Sequence, residues 1–117
     1  KVWVDKKGKL HEKVHNVVWS GDRALDAKGK LPTVGNTVDV ANATWTNSIG
    51  SPELINVWTD PDFDPSLDAS YYARVLEIPT PRWTAYEAKR FGITMKDEIP
   101  MINVERATTS PIWYTPQ

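Results

Sequence analysis

The stretch YYARVLEIPTPRW, residues 71–83, carries the strongest β-strand signal in the chain. Aromatic and β-branched side chains recur in it as far as Ile78, and such residues fit a pleated, half-buried surface. Pro79 and Pro81 then end the strand, because proline has no N–H to donate to a ladder. The sequence therefore predicts a strand at residues 71–78 that stops at the prolines.

A short helix is predicted directly after these prolines. Thr84 is a candidate N-cap, and Glu87 three positions later can complete a capping box. Gly92 stands where a left-handed residue is needed after the helix. The bracketed segment AYEAKRF is about two turns long. Residues 108–115 then return to strand character, so we expect the helix to lie between the last two strands.

Most of the remaining chain alternates with period two between Gly, Pro, Asn and Asp breaks. Residues 2–4 and 10–19 flank Asp5-Lys6-Lys7-Gly8, which predicts a hairpin. Residues 20–36 predict a loop, and residues 37–46 and 53–59 predict two further strands. The expected fold is all-β, an immunoglobulin-like sandwich with one short helix inserted, in which Tyr71 or Tyr72 would be the corner tyrosine.

Length and charge narrow the class of protein. A chain of 117 residues suits a single domain, and we expect residues 1–117 to form one module. The formal net charge is −1 and the lysines are scattered among carboxylates, which predicts no nucleic-acid partner. No apolar run approaches the ~20 residues of a membrane span. The absence of cysteine excludes disulfides and thiolate metal sites.

The pentapeptide HEKVH, residues 11–15, matches a zinc-protease pattern. On a helix, His11 and His15 would lie one turn apart, with Glu12 as general base. The valines and tryptophan that follow favour a strand instead, on which the two histidines would stand roughly 13 Å apart, too far to share a metal. We therefore expect this zinc motif to be inactive.

A second candidate metal site is the acidic loop at residues 60–68. Alternating carboxylates suit the hard oxygen coordination of calcium, although Pro65 and Tyr71 stand where an EF-hand loop needs glycine and glutamate. The loop would then bind calcium weakly, or its carboxylates would cap neighbouring amides. The candidate ligands are Asp60, Asp62, Asp64 and Asp68.

Several long motifs resemble the C-terminal portion of the bacterial family called domain of unknown function 3604. They are GKLHEKV at residues 8–14, WSGDR at 19–23, GKLP and VGNTVDV within 29–40, SIG at 48–50, VWTDPDFDP at 57–65, YYARVLEIPTPRWTAYEAKRFG at 71–92 and ERATTSPIWYTP at 105–116. The chain departs from the family pattern at Thr108, where an aromatic residue is expected, and at His15, where a tyrosine is expected.

The resemblance implies a piece of a longer protein. Members of the family are often exported, so a periplasmic or secreted location is expected. Their earlier part resembles the polymerase and histidinol phosphatase metal-dependent phosphoesterases. On that basis this chain is a C-terminal module without the histidine-rich metal motifs. The longer protein would bind divalent metals, whereas the chain itself needs no cofactor, and its partner would be the remainder of its own polypeptide.

Residues 79–106 form the best candidate site, because a connection that long is typical of functional or interfacial segments. Arg82 and Trp83, set between prolines and the helix, would project a cation and an aromatic ring of the kind enriched at interfaces. We expect Glu77, Arg82, Trp83 and Tyr86 to dock on the missing catalytic domain. The alternative is that Arg82 pairs with a local carboxylate and Trp83 covers the core.

No nucleophile, base and orienting partner can be assembled by spacing, so the sequence favours a non-catalytic module. Two other functions stay open. One is a free-standing metal-binding protein or zinc hydrolase that uses HEKVH. The other is a carbohydrate-binding module in which Trp45, Trp58 or Trp83 stacks on sugar rings.

Overall fold

A computed structural model describes all residues from Lys1 to Gln117 and shows a mostly β chain with one short helix. The elements in chain order are β1 (Val2–Val4), β2 (Leu10–Glu12), β3 (Ala69–Tyr71), β4 (Arg74–Leu76), β5 (Thr80–Pro81), α1 (Trp83–Phe91), β6 (Ile102–Asn103), β7 (Arg106–Thr108) and β8 (Ile112–Tyr114). The single helix is too short to cross a bilayer.

The strands form three small sheets. The largest has the order β2-β1-β3-β8, and the other two pair β4 with β7 and β5 with β6. The β-rich prediction is therefore confirmed, but these sheets do not form a clear immunoglobulin-like sandwich. The helix lies between β5 and β6, so its predicted place between the last two strands was wrong. Thr80–Pro81 pairs with Ile102–Asn103. Proline is tolerated in this short two-stranded sheet because an edge strand does not need every N–H for its ladder.

The predicted hairpin at the start of the chain is confirmed. Asp5 Oδ1 accepts hydrogen bonds from the amides of Lys7 and Lys9 at 2.8 and 2.9 Å, which closes the turn before β2. Gly8 adopts φ +78°, a left-handed conformation that favours glycine. The second strand ends at Glu12, where it pairs with Val2, instead of at residue 19. Beyond that pair Lys13 still exchanges backbone hydrogen bonds with Lys1, and residues 14–19 lie outside every ladder.

Three other predicted strands differ from the structure. Residues 71–78 divide into the end of β3 and the separate strand β4. Residues 37–46 form a turn closed by a single bridge between Asp39 and Thr44, and Asp39 Oδ1 accepts the Asn42 amide at 3.1 Å. Residues 53–59 lie outside every ladder. Period-two alternation was present in each segment, but alternation does not supply a pairing partner.

The N-cap of helix α1 lies two residues earlier than predicted. Its N-cap is Arg82, which has no side-chain cap, and Thr84 lies inside the first turn. The Thr84 hydroxyl donates to the Pro100 carbonyl at 2.6 Å, so it is not available for capping. The predicted C-terminus is confirmed, since Gly92 adopts φ 62° and ψ 33° and its N–H bonds the Ala88 carbonyl.

The chain divides into two compact units. Unit 1 contains Lys1–Val18, Ile55–Val75 and Ala107–Gln117, and unit 2 contains Trp19–Leu54 and Leu76–Arg106. Their buried residues are all small: Ala69 in unit 1, and Ala43, Pro81, Thr84 and Ala85 in unit 2. No large side chain is fully buried in either unit.

Candidate functional site

Unit 1 contains an ion pair whose two side chains are buried. Lys1 Nζ is 2.6 Å from Asp60 Oδ2, and the two side chains are only 5% and 7% exposed. The Tyr71 hydroxyl donates to the same carboxylate at 2.7 Å, and the Asp62 amide donates to Asp60 Oδ1 at 2.9 Å. The ammonium of Lys1 also donates to the Asp62 carbonyl at 2.6 Å. Every charged group of this pair therefore has hydrogen-bonded partners.

These contacts fix the protonation states of the pair. Burial raises the pKa of Asp60, but the hydrogen bonds from Lys1 and Tyr71 outweigh it and bring the pKa down to about 2. Burial, together with the hydrogen bond to the Asp60 carboxylate, raises the pKa of Tyr71 to about 12. At neutral pH Asp60 is thus an anion, and Tyr71 keeps the proton that it donates to Asp60.

Aromatic rings surround the ammonium of Lys1. Its Nζ lies 5.2 Å from the Trp3 ring centroid and 5.9 Å from that of Tyr71, within cation–π range. Trp58 packs edge-on to Tyr71 at 6.4 Å and tilts over His15 at 4.8 Å between centroids. These rings and the Lys1–Asp60 pair come from β1, β3 and the acidic loop, so their contacts join segments of unit 1 that are distant in sequence.

His15 brings one ring nitrogen to the edge of this network. Ligating atoms of His15, Asp60 and Asp62 all lie within 4.8 Å of one another, and Nε2 of His15 is buried without a hydrogen-bond partner. Nitrogen and carboxylate oxygens are ligands that zinc accepts. However, Lys1 already pairs with Asp60 and Lys13 with Asp62, so a metal ion would have to displace both ammonium groups.

The structure separates the predicted calcium ligands. Asp60 and Asp62 come together, whereas Asp64 Oδ1 accepts the amide and hydroxyl of Ser66 at 2.8 and 2.7 Å. Asp68 contributes its carbonyl to the Val4 amide at 3.1 Å. At Asp60 and Asp64 the carboxylates cap amides two residues on, as the alternative interpretation of the loop expected.

The HEKVH segment is not helical. His11 and Glu12 lie in β2, and His15 follows the strand. Nε2 of His11 is 2.8 Å from Asp5 Oδ2, and the ring stacks on Trp3 with centroids 5.1 Å apart. The hydrogen bond from His11 also lowers the pKa of Asp5. Since the two histidines have different neighbours, the structure groups His15 with the aspartates and not with His11.

Sequence reasoning missed the role of Lys1 and the hydrogen bond of Tyr114. The hydroxyl of Tyr71 bonds a side chain, while Tyr114 donates to a backbone carbonyl, that of Pro65, at 3.0 Å. Tyr71 or Tyr72 was expected to hydrogen-bond back across a corner of a sandwich; Tyr71 does bond back to Asp60, but the sheets form no clear sandwich. The only available signal for Lys1 was a lysine beside an apolar strand, and many exposed lysines share that setting.

A family model matches residues 1–116. The chain belongs to the family of proteins of unknown function DUF3604. No curated protein and no solved structure matches the chain. The predicted membership of this family is therefore confirmed, and the family name assigns no activity to the chain. The resemblance of the longer DUF3604 members to phosphoesterases stays a prediction.

In this DUF3604 chain the predicted interface residues lie in unit 2 around the start of α1. Trp83 is 59% exposed and Tyr86 is 46% exposed, on the same side of the first helical turn. Backbone hydrogen bonds fix the other two residues: the Glu77 amide donates to the Glu105 carbonyl, and the Arg82 amide donates to the Met101 carbonyl. None of the four side chains forms a hydrogen bond or ion pair. Arg82 forms no ion pair with a carboxylate, and more than half of the Trp83 side chain is open to solvent.

Proposed function

We propose that this chain is a non-catalytic module that packs on and completes the rest of a longer DUF3604 polypeptide. The remainder of that complete polypeptide would hold the catalytic domain, a metal-dependent phosphoesterase-like hydrolase with its own divalent metals, in the periplasm or outside the cell. The module supplies surface and structural support, and no chemical step is assigned to it.

The observation that carries this proposal is the exposed area of the chain. Its accessible surface is 9265 Å². A compact protein of this mass exposes roughly 6,400 Å², and even two separate compact units of half the mass would expose roughly 7,700 Å² together. The surplus over two separate units is about 1,500 Å², more than the ~800 Å² that each partner buries in a standard interface.

The exposed surface is rich in large apolar side chains. Twenty-one large hydrophobic residues are exposed, whereas the buried apolar positions are alanines and one proline. Burial of apolar side chains in a core is normally the dominant favourable term that offsets the conformational entropy lost on folding. Without such a core the units need apolar surface from elsewhere, which supports docking on a covalently linked partner.

The region around Arg82 is the best candidate for the centre of that interface. Trp, Tyr and Arg are the residue types that dominate binding energy in interfaces. Arg82, Trp83 and Tyr86 present all three types on a backbone fixed by hydrogen bonds, and their side chains are free of local partners. Because the backbone is already ordered, docking would cost the conformational entropy of these side chains and not that of the backbone.

The two other functions considered from the sequence find less support. A zinc hydrolase would need His11 and His15 together, and they have separate partners. Sugar stacking needs an open aromatic face, and Trp58 packs against His15 and Tyr71. Trp83 is exposed, but its neighbours Arg82 and Tyr86 form the pattern of a protein interface.

The test is the double substitution of Arg82→Ala and Trp83→Ala in the complete polypeptide. Docking should weaken by about 2 kcal/mol or more, because truncation of central Trp and Arg anchors has that cost. The measurements are thermal unfolding and protease sensitivity within residues 1–117. The matched control is Arg90→Ala with Phe91→Ala, another cation–aromatic pair at the far end of the same helix.

We expect the control to change docking far less than the anchor variant. Equal unfolding temperatures and cleavage rates for the anchor variant and the unsubstituted protein would refute the interface. An equal loss in both variants would refute the assignment of Arg82 and Trp83 as its anchors.

A further inference from the structure

Residues 55–59, with the sequence INVWT, have the pattern of a β-strand but no strand beside them. They lie outside every ladder, in unit 1. Ile55 is 80% exposed and Val57 is 92% exposed, the highest exposure among the large hydrophobic residues. We call this segment the open strand.

The other side of the open strand is anchored within unit 1. Asn56 Nδ2 donates to the Val17 carbonyl at 2.6 Å. Trp58 packs its ring against His15 and Tyr71. Asn56 and Trp58 are therefore held by the unit, while the alternating residues Ile55 and Val57 are left to solvent. The alternation is that of a strand with one face anchored to unit 1 through Asn56 and Trp58 and the other face open to solvent.

The open strand also lacks the features that protect free edges. Natural proteins guard exposed strand edges with lysine, proline, bulges or covering loops. Residues 55–59 contain no charged residue, no proline and no glycine. An unguarded apolar segment with backbone groups outside any ladder is a template for another strand.

We infer that the open strand receives an extended segment from the rest of the same polypeptide by β-strand addition. This inference rests on the proposed function and names one of its contacts. Main-chain hydrogen bonds would give the pairing its affinity, and apolar side chains at alternate positions of the added segment would cover Ile55 and Val57. The partner is thus an extended stretch with period-two apolar residues outside residues 1–117.

The size of the open strand favours a tethered segment over a second copy of the chain. Five residues span roughly 17 Å, and an isolated two-stranded pair is marginal in water. Its burial falls well short of the ~1,200 Å² total that stable association between separate molecules needs. A segment of the same polypeptide pairs at an effective concentration near the millimolar range, so a small contact suffices.

Photo-cross-linking in the complete polypeptide tests the inference. Val57 is replaced by p-benzoylphenylalanine, which the exposure of that side chain allows. Lys7, exposed in the turn before β2, carries the same photoreactive group as the matched control. Trp83 carries it in a third protein, which reports on the proposed interface independently. Mass spectrometry then identifies each cross-linked peptide.

The expected result is a Val57 cross-link within one polypeptide, to a peptide outside residues 1–117, with a yield unchanged on about tenfold dilution. In addition, alternate amides of residues 55–59 should exchange at least about 100-fold more slowly than in an unpaired strand. A cross-link to residues within 1–117 overturns the inference. So does a dimer-sized product that declines on dilution, which would identify a second copy as the occupant.

A Val57 yield no higher than that of Lys7, or uniformly fast exchange in residues 55–59, also overturns the inference. The Trp83 protein separates this failure from that of the proposed function. If Trp83 cross-links outside residues 1–117 and Val57 does not, the module docks but the open strand receives no partner. If neither position cross-links, both the inference and the proposed function fail.

Discussion

The two units of the chain are held by different interactions, although both lack a large apolar core. Unit 1 is organised by a buried ion pair, Lys1 with Asp60, surrounded by aromatic rings. Unit 2 closes around small residues such as Ala43 and Ala85, which let backbone segments approach closely. Each arrangement leaves large apolar side chains facing outward. The comparison indicates that local polar bonds and close backbone contacts, and not a large apolar core, organise the two units.

The largest expected effect comes from breaking the buried pair in unit 1. Asp60→Asn leaves the ammonium of Lys1 buried without a counter-charge, which should cost unit 1 about 3 kcal/mol. Hydrogen exchange of the β3 amides in the complete polypeptide measures that loss. The control is Lys13→Ala, because the ion pair of Lys13 with Asp62 is half exposed and should be worth at most about 1 kcal/mol.

A double variant sharpens this test. Lys1→Met with Asp60→Leu replaces the pair by apolar side chains and should recover much of the loss. Equal losses of stability for Asp60→Asn and Lys13→Ala would mean that the buried Lys1–Asp60 pair stabilises unit 1 no more than the half-exposed pair, which would contradict the account of unit 1.

In unit 2 the corresponding weak point is Gly50, which lies where backbone and side chain come close. A Cβ added there would be 2.6 Å from Ile78 Cγ2, and φ is +81°. Gly50→Ala should therefore destabilise unit 2 by about 1–3 kcal/mol, from overpacking added to backbone strain. Gly21→Ala is the matched control, with φ +69° but open space around the new methyl group.

The difference in stability between these two alanine variants isolates the contribution of the steric clash with Ile78 from that of backbone strain. Exchange rates of the α1 amides in the complete polypeptide provide the measurement. Equal effects of Gly50→Ala and Gly21→Ala would show that close packing against Ile78 does not hold unit 2 together.

A smaller, pH-dependent effect distinguishes the units further. The folded pKa of Asp60 is about 2, below its ordinary 3.8, so its contribution is present above about pH 4 and is lost as pH falls toward 2. The folded pKa of Tyr71 is about 12, above its ordinary 10.0, so its contribution is present below about pH 10 and is lost as pH rises toward 12.

Unit 1 should show both losses when β3 exchange, corrected for intrinsic rates, is followed across pH. Tyr71→Phe should remove the alkaline loss and leave the Lys1–Asp60 pair in place. An alkaline loss of the same size in that variant would contradict the role given to the Tyr71 hydroxyl.

Local signals in the sequence predicted local structure well. The turn at Asp5 and the helix end at Gly92 depend on residues within a few positions of each other, and both are present. The N-cap prediction at Thr84 was wrong because its hydroxyl bonds Pro100, sixteen positions away. The strand predicted at residues 53–59 has the right alternation but no ladder, since alternation is a property of one segment and pairing needs two.

The site was predictable only in part for the same reason. The sequence singled out Asp60 and Asp62 as ligands for a cation, and both do hold positive charges. Those charges are lysine ammonium groups from the first residues of unit 1, which no spacing rule connects to the acidic loop. The exposure of Trp83 and Tyr86 agrees with their predicted place on a projecting segment between prolines and a helix, whereas the near absence of a large apolar core could not be read from periodicity.

The most direct test of the account compares the 117-residue chain alone with the same residues in the complete polypeptide. In each protein, hydrogen exchange measures the protection of the backbone amides, and binding of an apolar dye measures the exposed apolar surface. The account predicts that the isolated chain binds the dye, unfolds without a sharp transition and exchanges quickly in both units, while the complete polypeptide protects the same amides. Cooperative unfolding of the isolated chain, with equal protection and no dye binding, would contradict it.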